Sequence, residues 1–191
     1  MKIGLFFGSF NPVHNGHLVI AAYMAEFTDL DQVWLVVSPH NPLKAENSLL
    51  QDYHRLTLVT LGIGGYRKLK ASKIEFGLPK PSYTIHTLNH LREKQPEHTF
   101  VLILGSDNLE GFKKWKNWEL ILEQHELYVY PRPGSDGGAL KDHPHVKHID
   151  APLMEISSSF IRQAIRNKKD VRFMLPETVF NYIEEMHFYE K

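Results

Sequence analysis

Lys2-Ile3-Gly4-Leu5-Phe6-Phe7-Gly8-Ser9-Phe10-Asn11-Pro12-Val13-His14-Asn15-Gly16-His17-Leu18 is the stretch that decides the fold. Its apolar start, Lys2 to Phe7, predicts a buried strand. Gly8 onward reads as a tight polar turn, and Leu18, Ala21, Ala22 and Ala25 recur at helical spacing. A strand, a turn and a helix start in that order place two imidazoles beside free backbone N–H groups. A helix N-terminus offers unpaired donors and a partial positive charge, and glycines let the backbone approach an anion. His14 and His17 add movable donors whose charge is tunable near neutral pH. The stretch suits a polyphosphate. Two plainer readings stand beside that one. The turn is a mere connection with Asn15 as N-cap, or the histidines are half of a zinc site, which needs further ligands in a chain without cysteine.

Working outward, strands and helices alternate. Gln32 to Ser38 predicts a second strand. Leu49, Tyr53 and Leu56 mark a helix ending near glycines 62, 64 and 65, and Leu69 to Phe76 reads as extended. A helix follows from Thr84 to Lys94 with Ile85, Leu88 and Leu91 inward. Thr99 to Leu104 is apolar at nearly every position, as in a central parallel strand covered on both faces. Glu126 to Tyr130 and Val146 to Ile149 read as two more strands, separated by a Gly-, Pro- and Asp-rich loop, 131–144, expected to be mobile. Two helices finish the order, one carrying Ile161, Ala164 and Ile165 inward. The other has Pro176 in its first turn and Val179, Tyr182, Ile183 and Met186 on one face. The expected fold is α/β: a Rossmann-like, doubly wound parallel sheet with helices on both faces, residues 1–191 forming a single domain.

Composition bounds what such a domain does. The chain has 191 residues, with 22 Lys plus Arg balanced by 22 Asp plus Glu. A formal charge of zero argues against a nucleic-acid partner held by a broad basic surface, while leaving room for a focused cationic pocket. The absence of cysteine fits a reducing cytoplasm. The first apolar stretch is too short for a signal peptide or membrane span. The chain therefore reads as soluble and cytoplasmic, with no membrane partner.

Four predicted strands are followed by loops of one unusual kind. These are Gly8 to His14, Pro39-His40-Asn41-Pro42-Leu43-Lys44, Gly105-Ser106-Asp107-Asn108 and Arg132-Pro133-Gly134. Ligands of open α/β sheets bind outside the carboxyl ends of the strands, so the coincidence favours one composite site. A second anchor is Ile156-Ser157-Ser158-Ser159-Phe160-Ile161-Arg162. Three hydroxyls at a helix start can simply compete to be the N-cap. Together with an Arg one turn in, they can also grip phosphate oxygens through charge-assisted bonds.

The H-x-G-H core of His14 to His17 resembles the signature of the nucleotidyltransferases that move AMP or CMP from a nucleoside triphosphate to a small acceptor. Ile156 to Arg162 resembles their I-S-S-T-x-I-R segment, with Ser159 keeping the hydroxyl of the usual Thr. Within that superfamily the chain is most similar to the nicotinate/nicotinamide mononucleotide adenylyltransferases, over most of its length. Pro81-Ser82-Tyr83-Thr84-Ile85 resembles the family's S-Y-T motif, Gly105-Ser106-Asp107 its G-A-D and Arg132-Pro133-Gly134 its R-P-G. Val171 to Ile183 is similar to its C-terminal stretch. Two departures stand out. The usual Gly-Gly-Thr-Phe-Asp-Pro is Phe7-Gly8-Ser9-Phe10-Asn11-Pro12, and the compact P-x-H-K loop becomes the longer Pro39-His40-Asn41-Pro42-Leu43-Lys44, which can still deliver Lys44 in place of the family's lysine.

The resemblance implies attack of a mononucleotide 5′-phosphate on the α-phosphorus of ATP, with pyrophosphate leaving in line and Mg²⁺ travelling with ATP. It implies catalytic roles for His14, His17, Arg162 and Lys44. ATP would be bound by Gly8, Ser9, Phe10, His14, His17, Gly105, Asp107, Ile156, Ser157, Ser158, Ser159 and Arg162. The pyridine mononucleotide would be bound by Lys44, Ser82, Tyr83, Thr84, Trp115 and Arg132, with Trp115 stacked on the ring. No protein metal site is expected, and a homo-oligomer is a possible assembly. Each feature has a plainer alternative: Ser82 as an N-cap, Asp107 capping the helix after it, and Trp115 with Trp118 as one buried helix face. The rival functions are a phosphopantetheine adenylyltransferase, a nucleotide sensor without turnover and, least favoured, a zinc-binding structural protein.

Overall fold

A computed structural model describes residues 1–39 and 49–190. Six strands join one sheet: β1 Lys2–Gly8, β2 Gln32–Val37, β3 Leu69–Ser72, β4 Thr99–Gly105, β5 Leu127–Tyr130 and β6 Val146–His148. Every pairing is parallel, in the order β3-β2-β1-β4-β5-β6. The chain runs outward from β1 to β3, then crosses back to pair β4 against β1's other edge. That reversal leaves a crevice beyond the carboxyl ends of β1 and β4. Seven α-helices are described: α1 Asn15–Phe27, α2 Asp52–Ile63, α3 Thr84–Lys94, α4 Ser106–Glu110, α5 Trp118–Gln124, α6 Ser158–Arg166 and α7 Glu177–Glu185.

Side-chain alternation along the strands builds two cores. Phe6, Val33, Leu35, Val101, Ile103 and Tyr128 face one way, against Ile20 and Met24 of α1, Leu58 of α2, Ile161 of α6 and Val179 of α7. Ile3, Leu5, Trp34, Phe100, Leu102 and Leu104 face the other, against Ile85, Leu88 and Leu91 of α3 and Ile121 of α5. Each such aliphatic or aromatic side chain contributes about 1.5–3 kcal/mol when fully buried. Burial on both faces explains why β4 has no polar alternation. The expected doubly wound sheet is what forms. No described helix is long and apolar enough to cross a membrane.

The structure corrects several expected boundaries. Residues 69–76 are not one strand. β3 stops at Ser72, and Ile74–Gly77 turns as a 3₁₀ helix that carries Glu75 into the interior. α4 and α5, weighed in the sequence only through Asp107 as a cap and the Trp115–Trp118 spacing, both form, each too short to show a period of its own. Pro176 is the N-cap of α7 rather than within its first turn. The 131–144 segment, read as a loop without regular structure, contains turns of its own. Arg132 bridges Ser135, Gly138–Leu140 forms a 3₁₀ turn, and the Lys141 ammonium pairs with Asp136 at 2.7 Å.

One buried cation holds the carboxyl edge together. Arg55 of α2 is fully buried, and its Nη1 donates to the carbonyls of Ser9 (2.6 Å) and Ser38 (2.8 Å), just past β1 and β2. Nε donates to the Leu50 carbonyl at 3.0 Å, and Nη2 meets the Asp52 carboxylate at 2.6 Å. Removing one partner of a buried charge network leaves the others desolvated and unpaired. Arg55→Met should therefore cost about 3–5 kcal/mol of folding stability, read by urea denaturation. A loss below about 1 kcal/mol would show that the stranded carbonyls find other donors.

Candidate active site

The β1–α1 turn is built by close approach. Phe10 is buried at φ 45°, its ring under Gly8, where a Cβ would come within 2.9 Å of it. Gly16 is constrained in the same way at the start of α1, since a Cβ there would lie 3.1 Å from the His14 ring. His14, not Asn15, is the N-cap of α1. It caps with no side-chain bond, while Asn15 Nδ2 donates to the Phe173 carbonyl at 3.0 Å.

His14 and His17 stack with ring centroids 3.7 Å apart, and Phe10 meets His17 edge-on at 5.0 Å. His14 is 4% exposed, and its Nδ1 has no hydrogen-bond partner among the described residues. Burial, then the nearby Arg132 charge, lowers its pKa to about 4. The expectation that His14 titrates near neutral pH is thereby corrected. At pH 7 it is a neutral imidazole with one N–H to give.

The second anchor lies directly against this turn. Ser157 is the N-cap of α6, its Oγ accepting from Phe160 N at 3.2 Å. Ser158 Oγ instead donates to the Pro12 carbonyl at 2.8 Å. Arg162 donates through Nη1 to the Asn11 carbonyl at 2.7 Å and through Nη2 to Ser159 Oγ at 3.2 Å. Ile156 packs beside Gly16. Of the three hydroxyls, Ser157 is the cap, Ser158 ties α6 to the β1–α1 turn, and Ser159 steadies Arg162, whose Nη1 makes the second tie.

The remaining predicted residues surround a cleft of about 380 Å³. Gly8, Ser9, Ser82, Tyr83, Thr84 and Trp115 line it. Tyr83 is the N-cap of α3 without a side-chain bond, so the N-cap role weighed for Ser82 is not the one it plays. Ser82 Oγ is buried with no partner among the described residues. Trp115 precedes α5 and Trp118 opens it, with Asn117 between them at φ 53°, so the two do not form one helix face. Asp107 is exposed inside α4, whose N-cap is Gly105, so it does not cap a later helix. Its carboxylate lies 3.8 Å from Arg132 Nε, and Arg132 Nη1 donates to the Met154 carbonyl at 3.2 Å. Asp107 and Arg132 are not in the cleft wall; Arg132 lies near His14 and the segment that leads into α6. Lys44 lies outside the described residues.

Sequence reasoning missed Glu75, Lys114, Lys116 and Tyr130, which also line the cleft. Glu75 is 2% exposed, and its Oε1 accepts from Thr87 Oγ1 at 2.7 Å. Burial raises its pKa, opposed by the Thr87 and Ser38 hydroxyls. A carboxylate between Ile74 and Phe76 was the available signal. Lys116 Nζ sits 4.6 Å from the centre of the Tyr83 ring.

Residues 5–164 match the cytidylyltransferase-like family. A probable nicotinate-nucleotide adenylyltransferase of Flavobacterium johnsoniae is 54% identical, with all of both chains covered. Its counterpart in Christiangramia forsetii is 53% identical over 99% of this chain and 98% of its own. In fold, the chain is similar to the nicotinic acid mononucleotide adenylyltransferase of Plasmodium falciparum complexed with NaAD. That match has a TM-score of 0.85 and 23% identity, over 99% of this chain and 97% of the other. With relatives this close along its whole length, the chain belongs to the cytidylyltransferase-like family and, within it, to the nicotinate-nucleotide adenylyltransferases.

Proposed function

We propose that the chain joins AMP from ATP to nicotinate mononucleotide, and/or nicotinamide mononucleotide, giving deamido-NAD or NAD and pyrophosphate in NAD biosynthesis. The carrying observation is continuity. Gly8 and Ser9 wall the aromatic cleft and lead without a break into the helix start that bears His14 and His17. A flat pyridine ring fits beside Tyr83 and Trp115, and its phosphate then points toward the polyphosphate end. Lys114 and Lys116 give the cleft a positive rim, which favours the anionic nicotinate form. The absence of cysteine suits work in the cytoplasm.

The attacking phosphate is already ionised at pH 7, so the protein need not supply a strong base. Its task is positioning and charge stabilisation, as in other phosphoryl transfers. Neutral His14 donates an N–H without the cost of burying a charge, and His17 is assigned to the α-phosphate. Arg162 supplies the full positive charge for the leaving pyrophosphate. A carbonyl and a hydroxyl hold it without neutralising it, leaving guanidinium donors for phosphate oxygens. These imidazole, guanidinium and hydroxyl groups suit phosphate rather than a hard cation. Mg²⁺ therefore belongs to the substrate, carried on ATP oxygens and water.

Pyrophosphate release from MgATP should appear with a pyridine mononucleotide and not with phosphopantetheine. Release with phosphopantetheine alone would reassign the acceptor, and ATP binding without release would make the chain a sensor. His17→Ala should lower kcat by roughly 10²–10³-fold, the scale for one preorganised donor. Near-normal turnover in the folded variant would remove His17 from the reaction. His14 gives a stability test as well. Its folded pKa of about 4 lies below the ordinary 6.5, so its contribution is complete above pH 6.5 and drains away as pH falls toward 4. The loss approaches about 3 kcal/mol. His14→Asn should flatten that acid limb in urea unfolding at pH 7 and pH 5, and an unchanged slope would assign the acid sensitivity elsewhere.

A further inference from the structure

Residues 187–190 fold back from α7 onto the β1–α1 turn. His187 and Tyr189 take left-handed backbone angles, φ 53° and 67°, and Phe188 N bonds the Ile183 carbonyl at 3.1 Å. The Phe188 ring packs against His54 at 4.7 Å. This turn half-buries Tyr189, whose hydroxyl donates to Asn11 Oδ1 at 2.8 Å. Asn11 is 1% exposed, and the same Oδ1 accepts from Leu50 N at 3.2 Å. Its main-chain carbonyl is the acceptor that holds Arg162. The Asn11 side chain is thus pinned by Tyr189 and Leu50, while its backbone pins the cation assigned to pyrophosphate.

We infer that Tyr189 is a positioning residue of the phosphate site, fixing Asn11 so that the Asn11 carbonyl aims Arg162 at the triphosphate. The inference rests on the role proposed above for Arg162. Space-filling alone does not account for the hydroxyl, since a phenyl ring would fill the same volume. The charged groups that act on the phenol are Arg162 and Arg55, whose charges lower its pKa. Burial raises it by more, so it stays protonated and donating. A rigid hydrogen-bonded support matters here because a displacement of about 1 Å at a catalytic group can cost roughly 100-fold in rate.

The test is Tyr189→Phe, which keeps the ring and deletes the hydroxyl, with Tyr182→Phe as control. The Tyr182 hydroxyl and His54 Nδ1 are hydrogen-bonded at 2.9 Å in the same region. Tyr189→Phe should lower kcat about 10-fold and weaken MgATP binding in calorimetry, while KM for the pyridine mononucleotide stays within about twofold. Tyr182→Phe should leave all three near wild type. In an Arg162→Ala background, removing the Tyr189 hydroxyl should change kcat no further, because its effect passes through that side chain. A lowered Tm with unchanged kcat and ATP affinity would overturn the inference, as would equal losses in Tyr182→Phe or fully multiplicative effects in the double variant. If wild type releases no pyrophosphate, the proposed function fails. The ATP affinity of Tyr189→Phe still decides the inference.

Discussion

The interaction on which the site depends is the Arg55 guanidinium seated among backbone carbonyls. Parallel strands end with their last carbonyls pointing past the sheet, and here Ser9 and Ser38 present theirs to one another's neighbourhood. Water would normally satisfy them, but Phe10, Asn11 and Pro39 close that space. A single planar cation with five donors replaces the water and fixes the two loops relative to α2. The cost is a buried charge, which lowers the guanidinium pKa and is partly met by the Asp52 carboxylate. In return, the turn after β1 has a defined shape before any ligand arrives.

That preorganisation is continued by polar groups rather than apolar packing. Ser158 reaches Pro12, Arg162 reaches Asn11, and Tyr189 reaches Asn11 from the opposite direction. Elements from the start, the first third and the last quarter of the chain converge on residues 9–12. Long-range hydrogen bonds of this kind add modestly to stability, since each replaces bonds to water. Their larger effect is to make the site's geometry a single state rather than an ensemble.

The sheet was legible because burial on both faces leaves a plain signature. Thr99 to Leu104 has no polar alternation, and the helical spacings of α1, α3 and α7 agree with the helices that form. The two segments that meet at the β1–α1 turn were legible because each is contiguous and carries its polar groups at a helix start. Elements set by tertiary context were not. Ile74 to Gly77 continues an apolar pattern, so nothing local announces that Ser72 ends the strand and Glu75 turns inward to Thr87. Arg55 and Tyr189 carry no local signal that singles them out in the sequence. Their importance comes from what lies opposite them, which is another stretch of chain. His14 failed for the same reason, its titration being governed by burial and by Arg132, a residue remote in sequence.

A chain with no net charge still builds a cationic site by where it pairs its charges. At the amino edge of the sheet, the Lys2 ammonium meets Asp29 at 2.7 Å and Glu126 at 2.5 Å, and Lys147 meets Glu126 at 2.5 Å. Those charges cancel locally, and their field fades within roughly a Debye length of about 8–10 Å. At the carboxyl edge, Arg162 is held by neutral acceptors, and Arg132 keeps a looser 3.8 Å distance from Asp107. The starts of α1 and α6 meet there, Ser158 Oγ donating to the Pro12 carbonyl, and add partial positive charge. The fixed charges of Arg162 and Arg132 thus lie apart from the closely paired charges of the amino edge, at the carboxyl edge of the sheet. Low-dielectric walls there make each fixed charge count for more than it would in water.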